Sequence, residues 1–307
     1  MGPSDYRAYE GVNTGGANGV FWLEILESRA DGLLLVRNIT EGAKREVAPV
    51  TATIEPDLVY PLLRGRDVQR WRATPSAHLL MVQDPKTRRG IDEETLQVQY
   101  PRTWGYLVQF KELLRSRAAF KRYFTRTNKK GVIETGPFYS MFNVGNYTFS
   151  PYKIVWREQS ANFIVAPILL SEKIVMPDHK LMMVPLENKD ETYYLLAILL
   201  SSPARLAIES YSMAISTNTH ILNNIKIPKY DSEHSIIAKL SKLGANVLSS
   251  QKVEKAKLET LIDQLAAHLW GITTDELTDI RWNLEDLKNA GQPTVSRGKE
   301  SLFSDTE

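Results

Sequence analysis

The amino-acid sequence predicts an α+β fold, in which a mixed-sheet body to about Tyr230 is followed by a helical region. Two observations support this prediction. Up to Tyr230, short β-branched and aromatic runs alternate with Gly, Pro and Asn, which is typical of strands joined by turns. After Tyr230, apolar residues recur with helical spacing. We therefore divide the chain into a body at 1–230, a helical region at 231–290 and a polar, flexible tail at 291–307.

The first part of the body is predicted to hold strands and one long helix. Strands are expected at 20–26, in "GLLLVRNIT" and in "AHLLMVQD". The stretch "YPRTWGYLVQFKELLRSRAAFKRY" is predicted to be a helix, because Pro101 suits a first turn and Tyr106, Phe110 and Leu114 would share one side.

The middle of the chain is predicted to be rich in strands. The strands are expected in "YSMFNVG", "YKIVWRE", "NFIVAPILL", "EKIVMP" and "HKLMMVPL". In "YKIVWRE" we expect Ile154 and Trp156 to face the core and Lys153, Arg157 or Glu158 to face outward. "ETYYLLAILLSS" is expected to be helical, and Ser202 followed by Pro203 is typical of a cap and first turn opening a second helix.

The helical region is predicted from two apolar series and their end signals. Ile236, Leu240, Leu243 and Val247 form the first series, and 258–269 holds the second. Gly271 is expected to end the second helix. Thr273 and Glu276 have the spacing of a capping box, which predicts a further short helix.

Composition excludes several classes of protein. The chain has no cysteine, which excludes disulfides, thiolate metal sites and cysteine nucleophiles and is compatible with a reducing cytoplasm, where we expect the protein to reside. The longest apolar runs, such as "YYLLAILL", are too short to span a bilayer, so no membrane partner is expected. The first twenty residues have no signal-peptide pattern.

Positive charge is concentrated in one block. Residues 60–130 hold 16 Lys and Arg against 6 Asp and Glu, whereas residues 231–307 hold 9 against 13. Such a block is typical of a protein that contacts phosphates, although a basic surface can also serve solubility alone. Four arginines fall within "RGRDVQRWR", and only Asp67 lies among them to balance their charge.

Common catalytic motifs are absent from the sequence. There is no P-loop, HExxH or GxSxG, and the Asn-Pro-Pro-Tyr motif of adenine methyltransferases is missing. The five histidines lack ligand spacing, so we expect no metal site and no catalytic residues. One alternative is a Mg²⁺-dependent nuclease, because Asp178, Glu187 and Lys189 match the two-carboxylate-plus-lysine pattern.

An ordered set of segments resembles a known family. The segments are "YRAYEGVNTGGANGVF", "YPLLRGRDVQRW", "YPRTWGYLVQFKELLRSR", "FYSMFNVGNYTFSPYKIVWREQS", "KLMMVPLENKDETYYLLAILLSS", "NNIKIPKYD" and "IDQLAAHLWGITTDEL". Together they resemble the C-terminal specificity region, or target recognition domain, of adenine-N6 DNA methyltransferases. That family includes the fused type IIG restriction–modification enzymes and phage-defence methyltransferases.

The resemblance implies a function and a division of labour. In the family, a separate domain binds S-adenosylmethionine and carries the Asn-Pro-Pro-Tyr motif; no cofactor is therefore expected in this chain. The resemblance implies double-stranded DNA and a methyltransferase catalytic domain, in cis or in trans, as partners. It also implies that this chain is a fragment or a separate subunit. The DNA would be held while the catalytic domain flips out an adenine.

The basic block would then hold phosphates. We expect six cations to fix the register along the DNA backbone: Arg64, Arg66, Arg70, Arg72, Lys129 and Lys130. At least one of the four arginines is expected to pair with Asp67 or stack on Trp71 instead.

Reading of bases requires other side chains, because Arg suits guanine edges and Asn suits adenine edges. The candidates lie in polar stretches between strands: Arg88, Arg89, Arg126, Asn128, Asn143, Asn146, Asn218 and His220. For Asn218 and His220, in "STNTHILNN", the alternative is a loop whose side chains satisfy its own backbone. A third hypothesis for the chain makes the helices at 234–270 a docking surface for a protein partner, which is compatible with DNA recognition.

Overall fold

The computed structural model describes residues 2–160, 162–212 and 217–290. Its strands are β1 (Tyr9–Glu10), β2 (Trp22–Ser28), β3 (Leu34–Asn38), β4 (Thr51–Ile54), β5 (Val59–Leu63), β6 (Val68–Gln69), β7 (Arg72–Ala73), β8 (Ala77–Leu80), β9 (Gln83–Asp84), β10 (Arg89–Gly90), β11 (Thr125–Thr127), β12 (Ile133–Thr135), β13 (Tyr152–Arg157), β14 (Val165–Ile168), β15 (Met176–Pro177) and β16 (Leu181–Leu186). Its helices are α1 (Asn18–Phe21), α2 (Glu93–Gln99), α3 (Pro101–Val108), α4 (Lys111–Ser116), α5 (Ala118–Tyr123), α6 (Lys189–Leu200), α7 (Ser202–Ser212), α8 (Ser235–Ser249), α9 (Lys252–Leu269) and α10 (Thr274–Ala290).

A six-stranded mixed sheet organises the first half of the body. Its order is β15-β5-β8-β2-β3-β4, with β15 parallel to β5 and the other pairs antiparallel. Its apolar side chains share one core with those of the short helices that follow, such as Leu96, Tyr106 and Phe120. This sheet and the helices confirm the predicted α+β class.

A four-stranded antiparallel sheet of order β1-β16-β13-β14 organises the second half. One face, with Ile154 and Trp156 of β13, packs on helices including α6 and α8. The other face, with Val155, packs against Leu63 and Val68 of the first half. Because both faces are covered, the expectation that Lys153 faces outward was wrong: Lys153 is fully buried.

Two predicted elements differ in the structure. The long helix expected over 100–123 is three helices, α3, α4 and α5. The backbone leaves helical geometry at Phe110 (φ −108°, ψ 11°) between α3 and α4, and it becomes extended at Arg117 between α4 and α5. The strand expected in "YSMFNVG" is an irregular segment; there Asn143 adopts a left-handed φ of 53° and only Phe142 forms a bridge, to Asn13.

The predicted helical region corresponds to α8, α9 and α10. Gly271, at φ 68°, follows the end of α9, and Thr273 and Glu276 form the expected capping box. Gly244 of α8 lies so close to α6 that an added Cβ would be 2.2 Å from the Tyr193 carbonyl oxygen. The helices therefore share a core with the second half of the body.

The Ser202 prediction was wrong in detail, because α7 starts at Ser202. The backbone N–H and hydroxyl of Ser202 both donate to Asp263 of α9, each at 2.7 Å. The tail predicted at 291–307 lies outside the described residues. In the described part of the chain, no helix has the length and apolar character needed to cross a membrane.

The two ends of the body lie side by side. The N–H groups of Ser4 and Asp5 donate to the carbonyls of Leu222 and Ile227, at 2.8 and 3.0 Å. The Tyr230 N–H donates to the Tyr6 hydroxyl at 3.0 Å. The first residues of the body therefore lie next to the last ones, from which the chain continues into α8.

Candidate nucleic-acid interface

The arginine cluster at 64–72 divides into buried and exposed members. Arg64 is only 7% exposed, and its Nη2 donates to the Ser76 hydroxyl at 2.6 Å. Its Nε lies 3.7 Å from Asp67, and its guanidinium stands over the Trp22 ring. Arg64 is therefore buried and bound to other residues of the body, and its guanidinium is not exposed for contact with a phosphate.

Arg70 joins the body to helix α9. Its Nε and Nη2 donate to Glu259 at 3.2 and 3.0 Å, and the Trp71 indole N–H donates to the same oxygen at 2.8 Å. Burial lowers the pKa of Arg70, and the neighbouring Glu259 carboxylate opposes that effect. The guanidinium also lies 5.4 Å from the Trp71 ring centre. The expected pairing with Asp67 and stacking on Trp71 are thus both confirmed, by Arg64 and Arg70.

Arg66 and Arg72 keep exposed side chains. Arg72 makes a 3.2 Å hydrogen bond to the Thr74 hydroxyl within its own hairpin. These two arginines remain available as phosphate ligands.

A cleft of about 530 Å³ brings together two of the predicted base-reading residues. Arg88 and Asn143 both line it, both are exposed, and both have a left-handed backbone, with φ of 57° and 53°. Asn adopts this conformation more readily than most residues, whereas for Arg88 it costs about 1–3 kcal/mol, and such strain is enriched at functional sites. Of the described non-glycine residues, only Trp71 shares it.

Local packing sets the position of Arg88. The turn between β9 and β10 is closed by the Arg88 N–H, which donates to the Asp84 carbonyl at 2.9 Å. Gly145 passes close to it, since an added Cβ there would be 3.4 Å from Arg88 Nε and 2.8 Å from the Tyr147 ring. A glycine at 145 therefore lets the Arg88 side chain lie over the 143–147 segment.

A carboxylate also lines the cleft. Glu10 accepts from the Asn13 side chain at 3.4 Å, and burial raises its pKa, although hydrogen bonds from Asn13 and Asn143 oppose the rise. The cleft thus offers a guanidinium, amides and a carboxylate among the aromatic rings of Tyr123, Phe124 and Phe142. Sequence reasoning missed Glu10, because a lone glutamate before a Gly-rich turn carries no distinguishing pattern.

Arg117 supports the backbone around the cleft and was also missed. It is fully buried, and it donates to four carbonyls, those of Leu114, Thr14, Phe138 and Ser140, at 2.7–2.9 Å. Burial lowers its pKa to about 10, so it stays charged at neutral pH. In the sequence it cannot be distinguished from the neighbouring exposed Arg115.

Strands β11 and β12 form a hairpin beside the cleft. Arg126 pairs with Glu134 across the hairpin at 2.8 Å and lines a smaller pocket with Arg89. The Asn128 side-chain oxygen accepts from the N–H groups of Lys130 and Val132, which are the contacts of a turn-forming residue. Lys129 and Lys130 are exposed at the tip.

The last three candidates lie elsewhere. Asn146 is exposed at the start of a short 3-10 helix at 146–149. The Asn218 side chain accepts from the His220 N–H at 2.9 Å, and the His220 ring contacts Asn223 at 3.3 Å. For Asn218 and His220 these are local loop contacts, and neither residue lines the cleft.

The geometry gives no support to the nuclease alternative. Asp178 precedes β16 and Glu187 follows it, so an extended strand of about 17 Å separates the two carboxylates. Asp178 is 3% exposed, and burial raises its pKa to about 6. In the described ranges, no three His, Asp or Glu side chains group as a metal site.

Comparisons with known proteins agree with this fold. No family model matches the chain. A type II methyltransferase, M.NspV of Nostoc sp. (strain ATCC 29411 / PCC 7524), is 27% identical over 158 residues, which are 50% of this chain and 29% of that protein. The type IIL restriction–modification enzyme MmeI, solved in complex with DNA, matches 94% of this chain and 35% of its own, with a TM-score of 0.53 and 10% identity. The chain is therefore related to a methyltransferase and matches about a third of the length of either protein.

Proposed function

We propose that this chain is the DNA target recognition domain of an adenine-N6 DNA methyltransferase or of a fused restriction–modification enzyme. The observation that carries the proposal is the cleft that Arg88 and Asn143 both line, each with an exposed side chain on a left-handed backbone. Its support comes from the sequence similarity to a type II methyltransferase and from the shared fold with an enzyme solved on DNA.

In the proposed mechanism, one set of residues binds the DNA phosphates and another set recognises the bases. Arg66, Arg72, Lys129 and Lys130, all exposed, bind phosphates and fix the register of the duplex. In the cleft, Arg88 donates to a guanine edge and Asn143 binds an adenine edge, while Glu10 can accept from the cytosine amino group. Each side chain then reads a different base.

The catalytic partner completes the proposal. S-adenosylmethionine belongs to the methyltransferase domain, which supplies the methyl group to an adenine flipped out of the duplex held here. A cytoplasmic location and a role in phage defence are further parts of the proposal. Helices α7 and α10 are a candidate place for that partner, because Ala207, Trp270 and Ile280 line an apolar groove of about 470 Å³.

The test is a selection from a randomised double-stranded DNA pool at two salt concentrations, without metal ions. We expect a short enriched motif and an affinity that falls steeply with salt. Arg88→Gly and Asn143→Gly remove the side chains but accept the left-handed backbone, so each should relax one motif position by about 1–3 kcal/mol without loss of stability. Arg66→Ala should weaken all sequences alike.

The matched control is Lys242→Ala, which removes an exposed cation from α8. It should leave both the motif and the affinity unchanged. Retention of DNA without any motif, or a motif that survives both glycine substitutions, would refute the assignment of reading to the cleft.

A further inference from the structure

The hairpin of β11 and β12 exposes apolar side chains where a solvated turn needs none. Val132 is 56% exposed and Ile133 is 67% exposed, next to Lys129 and Lys130. Val132 precedes β12 and Ile133 begins it, so these side chains suit the strand backbone but leave most of their apolar surface in solvent. Exposed apolar groups next to charge are typical of a contact surface.

The tip is held in a fixed shape. The Asn128 N–H donates to the Val132 carbonyl at 2.9 Å, and the Asn128 side chain accepts from two further N–H groups of the turn. Gly131, at φ 78°, closes the turn. A tip with this many internal hydrogen bonds presents its side chains with little ordering cost on binding.

The base of the hairpin is fixed to the wall of the cleft. Phe124, which precedes β11, packs on Phe142 with ring centres 5.1 Å apart, and the Gly136 N–H after β12 donates to the Phe124 carbonyl at 2.8 Å. In the described ranges, neither strand pairs with a third strand. The hairpin thus begins at the wall of the cleft, which is the surface where the proposed function places the duplex.

Charge identifies the occupant of this surface. Residues 121–135 hold five cations, Lys121, Arg122, Arg126, Lys129 and Lys130, against Glu134 alone. An apolar tip surrounded by positive charge fits a polyanion with an apolar interior, which is the chemistry of a stacked DNA duplex. Proteins that unstack DNA use apolar wedges in this way.

We propose that Val132 and Ile133 insert between base pairs and partly unstack one step of the bound duplex. This inference rests on the proposed DNA-binding function. It adds that two named side chains, Val132 and Ile133, distort the bound DNA. Lys129 and Lys130 hold the flanking phosphates, so affinity for any duplex depends on them, whereas preference for a deformable step depends on the apolar pair.

The test compares two 30-base-pair duplexes of one mixed sequence, one fully paired and one with a central T·T mismatch. A mismatch removes part of the unstacking cost, so the full chain should bind the mismatched duplex about tenfold more tightly. The double substitution Val132→Ser with Ile133→Ser should abolish this preference while keeping the affinity for the paired duplex. Ile133→Thr, which keeps the β-branched backbone preference, should reduce it.

Two controls separate the contributions. Val253→Ser, which changes an even more exposed valine on α9, should keep the preference. Lys129→Ala with Lys130→Ala should weaken both duplexes alike and lower the slope of log affinity against log salt by about 1 for each charge.

The outcomes are distinguishable. Binding without preference for the mismatch, or a preference that survives both tip variants, would overturn the wedge and leave DNA recognition in place; the apolar tip would then be a protein contact. Failure to bind either duplex at low salt would overturn the proposed function as well.

Discussion

Two segments of the chain, residues 64–72 and the hairpin at 125–135, both carry a net positive charge but use it differently. In the first, Arg64 lies inside the body and Arg70 binds Glu259 of α9. In the second, Lys129 and Lys130 are exposed and Arg126 pairs across the hairpin surface. The difference arises because 64–72 lies between two sheets and a helix, whereas the hairpin extends away from the body. Charge density in the sequence therefore identifies a basic region without identifying the interface.

The largest expected effect concerns the fully buried Arg117. Arg117→Met should lower the free energy of unfolding by about 3 kcal/mol, because it leaves four buried carbonyls without a donor. Urea unfolding measures it, and Arg115→Met, on the exposed neighbour, is the control. A loss below 1 kcal/mol would show that water replaces the guanidinium.

Arg64 and Arg66 allow a direct test of the difference between buried and exposed arginines. Arg64→Met should lower the free energy of unfolding by about 2 kcal/mol, because the nearly buried Asp67 loses its ion-pair partner and Ser76 loses a donor. It should leave the DNA affinity of the folded protein unchanged. Arg66→Met should lower the DNA affinity and leave the free energy of unfolding unchanged, because the Arg66 side chain is exposed. Urea unfolding and fluorescence anisotropy with labelled DNA measure the two effects. If both variants lost DNA affinity equally, the distinction between buried and exposed arginines would fail.

The link to the helices gives a smaller effect. Glu259→Ala removes the acceptor shared by Arg70 and Trp71 and should cost about 1–2 kcal/mol. Hydrogen exchange should then rise in α9 and in the β6–β7 hairpin together. Glu254→Ala, in the exposed first turn of the same helix, should change neither. Faster exchange in α9 alone would mean that the two elements are not coupled.

The smallest effect is a pH dependence set by Lys153. Burial lowers its pKa from 10.5 to about 7, so between these values the unfolded chain binds a proton that the folded chain lacks. Stability should therefore rise with pH above about 7, by up to about 1.4 kcal/mol per unit. Below pH 7 both states are charged, so this pH dependence should vanish while the full cost of burying the charged Lys153 remains. Lys153→Met should remove that slope between pH 7.5 and 8.5 in urea unfolding, and an unchanged slope would contradict the assignment.

The sequence predicted secondary structure correctly for elements with one apolar face and clear end signals. Helices α8 and α9 follow their apolar spacing, and the capping box at Thr273 forms as expected. Lys153 could not be placed, because its burial depends on a second layer, supplied by residues such as Leu63.

The candidate site shows the same limit. Arg88 and Asn143 were selected by type and by their place between strands, and the fold brings them into one cleft. The use of Arg70 depends on Glu259, 189 positions away, which no local pattern indicates. Residue type thus predicted the candidate DNA-binding residues. Contacts with residues distant in sequence then determined which of these side chains remain exposed.

The hydrogen bonds that join Ser4 and Asp5 to residues 222–230 have a consequence for variation. Because the chain enters the body and leaves it at the same place, we expect a change in the length of the exposed 125–135 hairpin to leave the start of α8 where it is. The 143–147 segment differs from the hairpin in this respect, because Val144 is buried and Tyr147 stacks on Tyr9, so its length is fixed by the body.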